Sequence, residues 1–116
     1  MLRTLTFFLI SCVSALCAQN QASIQAYNQG IGLYNNKNLS GAIASFDKSI
    51  KADSNFSKPY FNRAICHLKM NNYALAIEDF TKAEHLDTNQ KNDKVFYGRA
   101  QAKFFSGNKE GALSDY

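Results

Sequence analysis

The sequence predicts an all-α protein, a solenoid built from helix–turn–helix units. Three observations carry this. In several stretches apolar residues recur at intervals of three and four, which places them on one stripe of an α-helix. The pattern itself recurs: residues around Ala42 are matched 34 positions later around Ala76, and again 36 positions further on around Ala112. Breakers are sparse in the helix interiors (Gly30, Gly41 and Gly98 among them), and the one proline, Pro59, falls in a first helical turn, where its missing N–H costs little.

The chain opens on MLRTLTFFLISCVSALCAQN. Arg3, an apolar run from Leu5 to Leu16 and small residues before Gln19 follow the three-part pattern of a secretory signal. The run is too short for a comfortable membrane span. It also lacks the spacing and the polar face of the stretches that follow. Residues 1–18 are read as a leader cleaved after Ala18, and 19–22 as a short linker. The alternative is a lipoprotein signal in which Cys12 of LISC becomes lipidated. Against it, VSAL would leave an apolar start to the mature chain.

Helices are expected at about 23–36, 39–52, 57–70, 73–86, 93–106 and from 109. In the first, Gly30 occupies a close-packing site that Ala64 occupies in the third. The second comes from NKNLSGAIASFDKSIKAD, with Leu39, Ala42, Ile43, Phe46 and Ser49 on its stripe. The third and fifth contain YFNRAICHL and FYGRAQAKF, which share Arg63 with Arg99 and Ala64 with Ala100. The fourth comes from NNYALAIEDFTKAEHLD, with Tyr73, Ala76, Ile77, Phe80 and Ala83 on its stripe. Asn72 is placed to cap it by accepting a hydrogen bond from an orphan amide. Ala76 and Ala83 let a neighbouring helix come close, while Phe80 fills the gap between helices. Gly107 suits a helix stop. The sixth starts in GNKEGALSDY, whose Ala112, Leu113, Asp115 and Tyr116 match Ala76, Ile77, Asp79 and Phe80.

These units resemble the tetratricopeptide repeat, a helix–turn–helix of about 34 residues. The middle unit holds Tyr60, Ala64, His67, Ala76, Phe80 and Thr88 at the family's marker positions. The first holds Ala26, Gly30, Leu33, Ala42, Phe46 and Ser54, and the third Phe96, Ala100, Lys103, Ala112 and Tyr116. Ser54 and Thr88 replace the usual Pro, Ala26 replaces a large aromatic, and the 87–93 loop carries two extra residues. The resemblance implies a right-handed superhelical solenoid of three units, 23–56, 57–92 and an incomplete 93–116.

The formal net charge is +4; removing the leader with Arg3 leaves twelve basic against nine acidic residues, a net of +3. The lysines are scattered, which does not argue for nucleic acid. Cys12 and Cys17 leave with the leader, so Cys66 alone remains and no intrachain disulfide can form. Inside a helix it reads as a small, partly buried residue. His67 takes a place where the family usually has an aromatic, which gives it a packing role, and His85 is read as solvated. Neither has a carboxylate or Cys at ligand spacing. Glu78, Asp79 and Asp115 are expected on the solvent faces of second helices. No nucleophile motif or phosphate-cradling glycine loop appears. No catalytic, cofactor or metal residue is assigned, and the chain is read as a non-enzyme.

The resemblance implies a groove instead. First helices line the concave side of such solenoids, where partners bind. Tyr27, Asn28 and Ile31 from the first unit, Phe61, Asn62, Ile65 and Lys69 from the second, and Tyr97 and Gln101 from the third are the candidate groove residues. An aromatic recurs at Tyr27, Phe61 and Tyr97, which suits an extended or helical peptide and equally suits packing against the next unit. Tyr34, Leu68 and Phe104 are read as packed. Some family members clamp a partner's C-terminal carboxylate with two Lys, two Asn and an Arg. Here only Asn62 and Lys94 match; Tyr27, Ile31 and Gly98 stand where a Lys, an Asn and the Arg would be needed. That argues against a carboxylate clamp.

The expectation is a non-catalytic, exported interaction module of the cell envelope, periplasmic, outer-membrane-associated or secreted. It would dock a protein or peptide segment in its groove, with no cofactor and no membrane span after cleavage. It would also be able to self-associate through an exposed terminal helix. The alternative is an N-terminal stretch of a longer envelope assembly or sensor protein, with its active part beyond Tyr116. Fold does not choose between them.

Overall fold

In the computed structural model, residues 2–87 and 92–115 are described, with side chains from Cys12 onward. Thr88, the lengthened loop after Asp87 and Tyr116 lie outside the described residues. Among those described are six helices and no strand: α1 (Leu2–Asn35), α2 (Leu39–Ala52), α3 (Ser57–Lys69), α4 (Tyr73–Leu86), α5 (Asp93–Phe105) and α6 (Lys109–Asp115). From α2 onward the helices start where the periodicity puts them.

Helix α1 departs from expectation. It has 34 residues, whereas α3 and α5 have 13 each. It runs through 19–22, where the sequence suggested a linker, because no Gly or Pro before Gly30 interrupts the helix. The repeat register still marks where the unit begins. Ser23 corresponds to Ser57 and Asp93, the first residues of α3 and α5. Every side chain from Cys12 to Ala22 is exposed, whereas Ser23 is buried. Ser23 Oγ donates to the Ser49 carbonyl at 2.8 Å, and Ser49 Oγ donates to the Ser23 carbonyl at 2.7 Å. Helix α1 therefore has a packed C-terminal part and a projecting N-terminal part.

The small-and-large stripes pack as predicted. Ala42, Phe46, Ala76 and Phe80 are fully buried. Two clusters result, one around Phe46 and one around Phe80. Glycines permit the closest approaches. A Cβ on Gly30 would overlap the Phe46 ring, and one on Gly98 would sit 2.5 Å from the Phe80 ring.

Each first helix ends in the same way. Lys37, Asn71 and Gly107 take positive φ (62°, 62° and 93°). Their N–H groups donate to Tyr34, Leu68 and Phe104, and the following N–H groups donate to Leu33, His67 and Lys103. This paired bonding closes the helix carbonyls. Gly107 is the stop that the sequence suggested. The second helices begin less uniformly. Asn38 and Asn108 accept hydrogen bonds from the Gly41 and Gly111 amides. Asn72 occupies the equivalent position, but its side chain makes no capping bond, contrary to expectation. At Gly41 and Gly111 an added Cβ would come within 2.7 Å of the capping amide. After Asn72 the corresponding residue is Leu75, whose Cβ takes up that space.

The acidic residues also need correction. Glu78 is exposed, but Asp79 and Asp115 are not on solvent faces. Arg63 donates to Asp79 through Nε at 2.8 Å and Nη2 at 2.7 Å. Arg99 binds Asp115 in the same two-pronged way at 2.9 and 2.8 Å. Antiparallel hairpins bring residues sixteen apart face to face. Each arginine also reaches back to the preceding unit, Arg63 to Asp47 at 2.7 Å and Arg99 to Glu84. These contacts raise both guanidinium pKa values further. The first unit carries Gln29 and Ser45 in place of the pair.

Candidate functional site

Helices α3 and α5 run side by side and leave a groove of about 610 Å³ between them. Phe61, Ile65 and Leu68 fall on one face of α3, spaced by four and three. They form the apolar floor with the edge of Phe80. Phe61 meets Phe80 edge-on, with centroids 5.8 Å apart. Gly98 lets the α5 backbone abut the Phe80 ring, so the floor stays open beside it. Tyr97 and Gln101 form the α5 wall, Gln101 Nε2 donating to the Tyr97 hydroxyl at 3.3 Å. Lys69, Asp93 and Lys94 complete the lining.

Phe61, Ile65, Lys69, Tyr97 and Gln101 from the candidate set thus come together. The others do not line this groove. Tyr27 packs on Phe56 and Phe46 with centroids 5.3 and 5.9 Å away. Its hydroxyl accepts a hydrogen bond from Asn62 Nδ2 at 3.1 Å. Ile31 packs into the first core cluster. Asn28 is exposed on α1. The first unit's share of the concave face is therefore filled by its own aromatic side chain. Leu68, read as packed, both packs on the second core and lines the groove; its spacing from Phe61 and Ile65 was the available signal. Tyr34 is partly buried as expected, but Phe104 is half exposed. No described helix lies over it in the way that α5 lies beside Leu68.

On the opposite side a smaller hollow of about 490 Å³ is lined by Tyr60, Arg63, His67 and Asp79 among others. His67 packs there as the family position suggests. Its Nε2 lies 3.9 Å from Asp79, and its buried Nδ1 has no hydrogen-bond partner. Burial lowers its pKa, against an opposing pull from Asp79. Cys66 is fully buried, and burial pushes its thiol pKa up to about 11, which keeps it protonated near neutrality. Among the described residues no group of three His, Cys, Asp or Glu is placed to hold a metal ion, and no helix is long and apolar enough to cross a membrane.

Known proteins share this architecture. The tetratricopeptide repeat family matches at residues 57–89. A solved second TPR of Spaghetti (RPAP3), bound to the HSP90 peptide SRMEEVD, is 31% identical; the match covers 84% of this chain and 91% of that one, with a TM-score of 0.79. The second TPR domain of human RPAP3, in complex with the HSP70 peptide SGPTIEEVD, is 28% identical, with coverage of 86% and 79% and a TM-score of 0.75. The Hsp70/Hsp90 co-chaperone CNS1 of Saccharomyces cerevisiae is 38% identical over 85 residues, which is 70% of this chain and 21% of that protein. The matched stretch spans between 11% and 21% of the curated relatives' length. With its hairpins in register, its small-residue contacts and its closest-packed aromatics all at the repeat's positions, this chain belongs to the tetratricopeptide repeat family.

Proposed function

We propose that this protein is a non-catalytic interaction module that docks a segment of a partner protein in the α3–α5 groove. One observation carries the reading: an open, mainly apolar trough with a few polar groups on its rim, the form that peptide-binding surfaces take. Its likeness to domains solved with bound peptides supports it. Tyr97, 56% exposed, is the cleanest probe. Phe61→Ala would disturb the core through Phe80 as well as the groove. The test is a pull-down with the chain from envelope extract, repeated with Tyr97→Ala. A specific partner should be captured, and the substitution should weaken capture without moving the melting temperature. Equal capture by both forms would place binding elsewhere and overturn the reading.

We also propose export, with cleavage after Ala18. The three-part leader and the exposed helical turns before Ser23 support it. Mass spectrometry of protein from an exporting host should find Gln19 first. A diacylglyceryl group on Cys12 would favour the lipoprotein alternative. A structural role as one stretch of a longer envelope solenoid is the second reading. It is favoured by Phe104 and Leu113, which are exposed where their counterparts Leu68 and Ile77 are packed.

A further inference from the structure

The similar domains are solved with peptides that both end in Glu-Glu-Val-Asp. Such an end presents several carboxylates close together. Holding it takes several cations or N–H donors aimed at one place. The groove of this chain does not provide them. Asn62, at the edge of the groove helix, has both amide protons engaged, one by the Tyr27 hydroxyl at 3.1 Å and one by the Lys58 carbonyl at 3.0 Å. An asparagine amide has only two to donate. Lys69 places Nζ over the Tyr34 ring, 5.3 Å from its centroid, on the side of the first unit. Lys94 shares the lining with Asp93, a carboxylate that repels another. Gly98 bears no side chain and has no room for one, because a Cβ there would lie 2.5 Å from the buried Phe80 ring. The floor is apolar throughout.

Building on the groove reading, we infer that this trough takes an internal, apolar segment of its partner and does not read a C-terminal carboxylate. Burial of two or three apolar side chains on Phe61, Ile65 and Leu68 supplies the attraction. The polar rim orients the segment. Neither requires the partner's chain to end there.

Two arms test this on the full chain. In the first, random peptides are selected from two phage libraries, one with its C-termini free and one with its C-termini fused to the coat protein. In the second, SRMEEVD is titrated as the free acid and as the C-terminal amide. The fused library should yield binders rich in apolar residues, and Tyr97→Ala should weaken them about tenfold while Lys94→Ala leaves them within twofold. The acid and the amide should differ by less than twofold. Tenfold tighter binding of the acid, or binders from the free-end library alone with a shared acidic terminus, would overturn the inference and leave the groove reading standing. Fused-library binders indifferent to Tyr97→Ala would overturn the groove reading itself. No binders from either library would sink both.

Discussion

Arg63 donates to two carboxylates on two different helices, Asp79 within its own hairpin and Asp47 in the unit before. Its side chain is 22% exposed and that of Asp79 only 9%. Removing Asp79 takes the two-pronged bond from a largely buried guanidinium and leaves it only Asp47, whose side chain is 46% exposed. Asp79→Ala should therefore destabilise the fold by about 3 kcal/mol, the lower end for breaking a buried pair. The neighbouring Glu78→Ala, on the exposed face, should stay within about 0.5 kcal/mol. Chemical denaturation of both variants checks this, and equal losses would remove the special role of the pair. His67 gives a pH dependence. Burial holds its folded pKa below the ordinary 6.5, with Asp79 opposing. Between the two values the unfolded chain binds more protons than the folded one, so stability falls as pH drops through the unfolded value toward the folded one. The melting temperature should decline from about pH 7 to about pH 5, and the decline should be shallower in His67→Phe. Parallel profiles would rule the histidine out. The packing of His67 was legible from its repeat position, but the ion pairs were not. Sixteen-residue spacing is not a helical period, and the two aspartates looked like ordinary solvent-face charges until the hairpin brought the arginines over them.

Helix α1 offers an internal comparison between two glycines. Gly30 is buried against Phe46, while Gly32 is exposed and a Cβ added to it would meet nothing within 4 Å. Alanine in a helix is favoured over glycine by about 1 kcal/mol. At Gly32 nothing opposes that gain, so Gly32→Ala should stabilise by about 0.5–1 kcal/mol. At Gly30 the added methyl would displace a fully buried ring, and overpacking of this kind costs about 1–3 kcal/mol. Gly30→Ala should therefore lower stability on balance. Thermal melts of the two variants should move in opposite directions; a rise in both would mean that Phe46 has room to yield. The sequence revealed the importance of Gly30, because Ala64 and Ala100 hold the same register. The failed cap at Asn72 has a sequence correlate as well, Leu75 standing where Gly41 and Gly111 stand in the other units, but its meaning emerges only from the space that the capping amides of Asn38 and Asn108 occupy.

Across the whole molecule, the units are alike in register and unlike in coverage. Leu68 and Ile77 pack on the second core, whereas their third-unit counterparts Phe104 and Leu113 are 50% and 74% exposed. Phe105 adds a further exposed ring, stacked on Tyr73. The opposite face is different. The α1 residues corresponding to the α5 contact surface, Gln25, Asn28 and Gln29, are polar and exposed. Helix α1 also exposes Val13, Leu16 and Ile24, but Phe104, Phe105 and Leu113 gather three large apolar side chains on the α5–α6 end, surface of the kind that drives association. The chain in solution should self-associate through the α5–α6 end. Sedimentation should show a dimer or larger species, and Phe104→Ser with Leu113→Ser should shift it toward monomer. A wild-type chain that stays monomeric at high concentration would count against this.

Helix type, the starts of α2 to α6 and the 34-residue register were determined by the sequence alone. They rest on interactions within a few residues, the backbone bonding of each turn and the stripe of apolar side chains, and they are repeated often enough to be read against one another. The tertiary structure decided what each face of those helices meets. It turned Tyr27 and Ile31 inward while leaving Phe61, Ile65 and Tyr97 around an open groove. It drew Asp79 and Asp115 onto arginines, and it engaged both protons of Asn62. These outcomes depend on how far one helix lies from the next, a distance set by the size of a few residues at the crossings, such as Gly30 on Phe46 and Gly98 on Phe80. That distance is a property of pairs of helices, and no single helix encodes it.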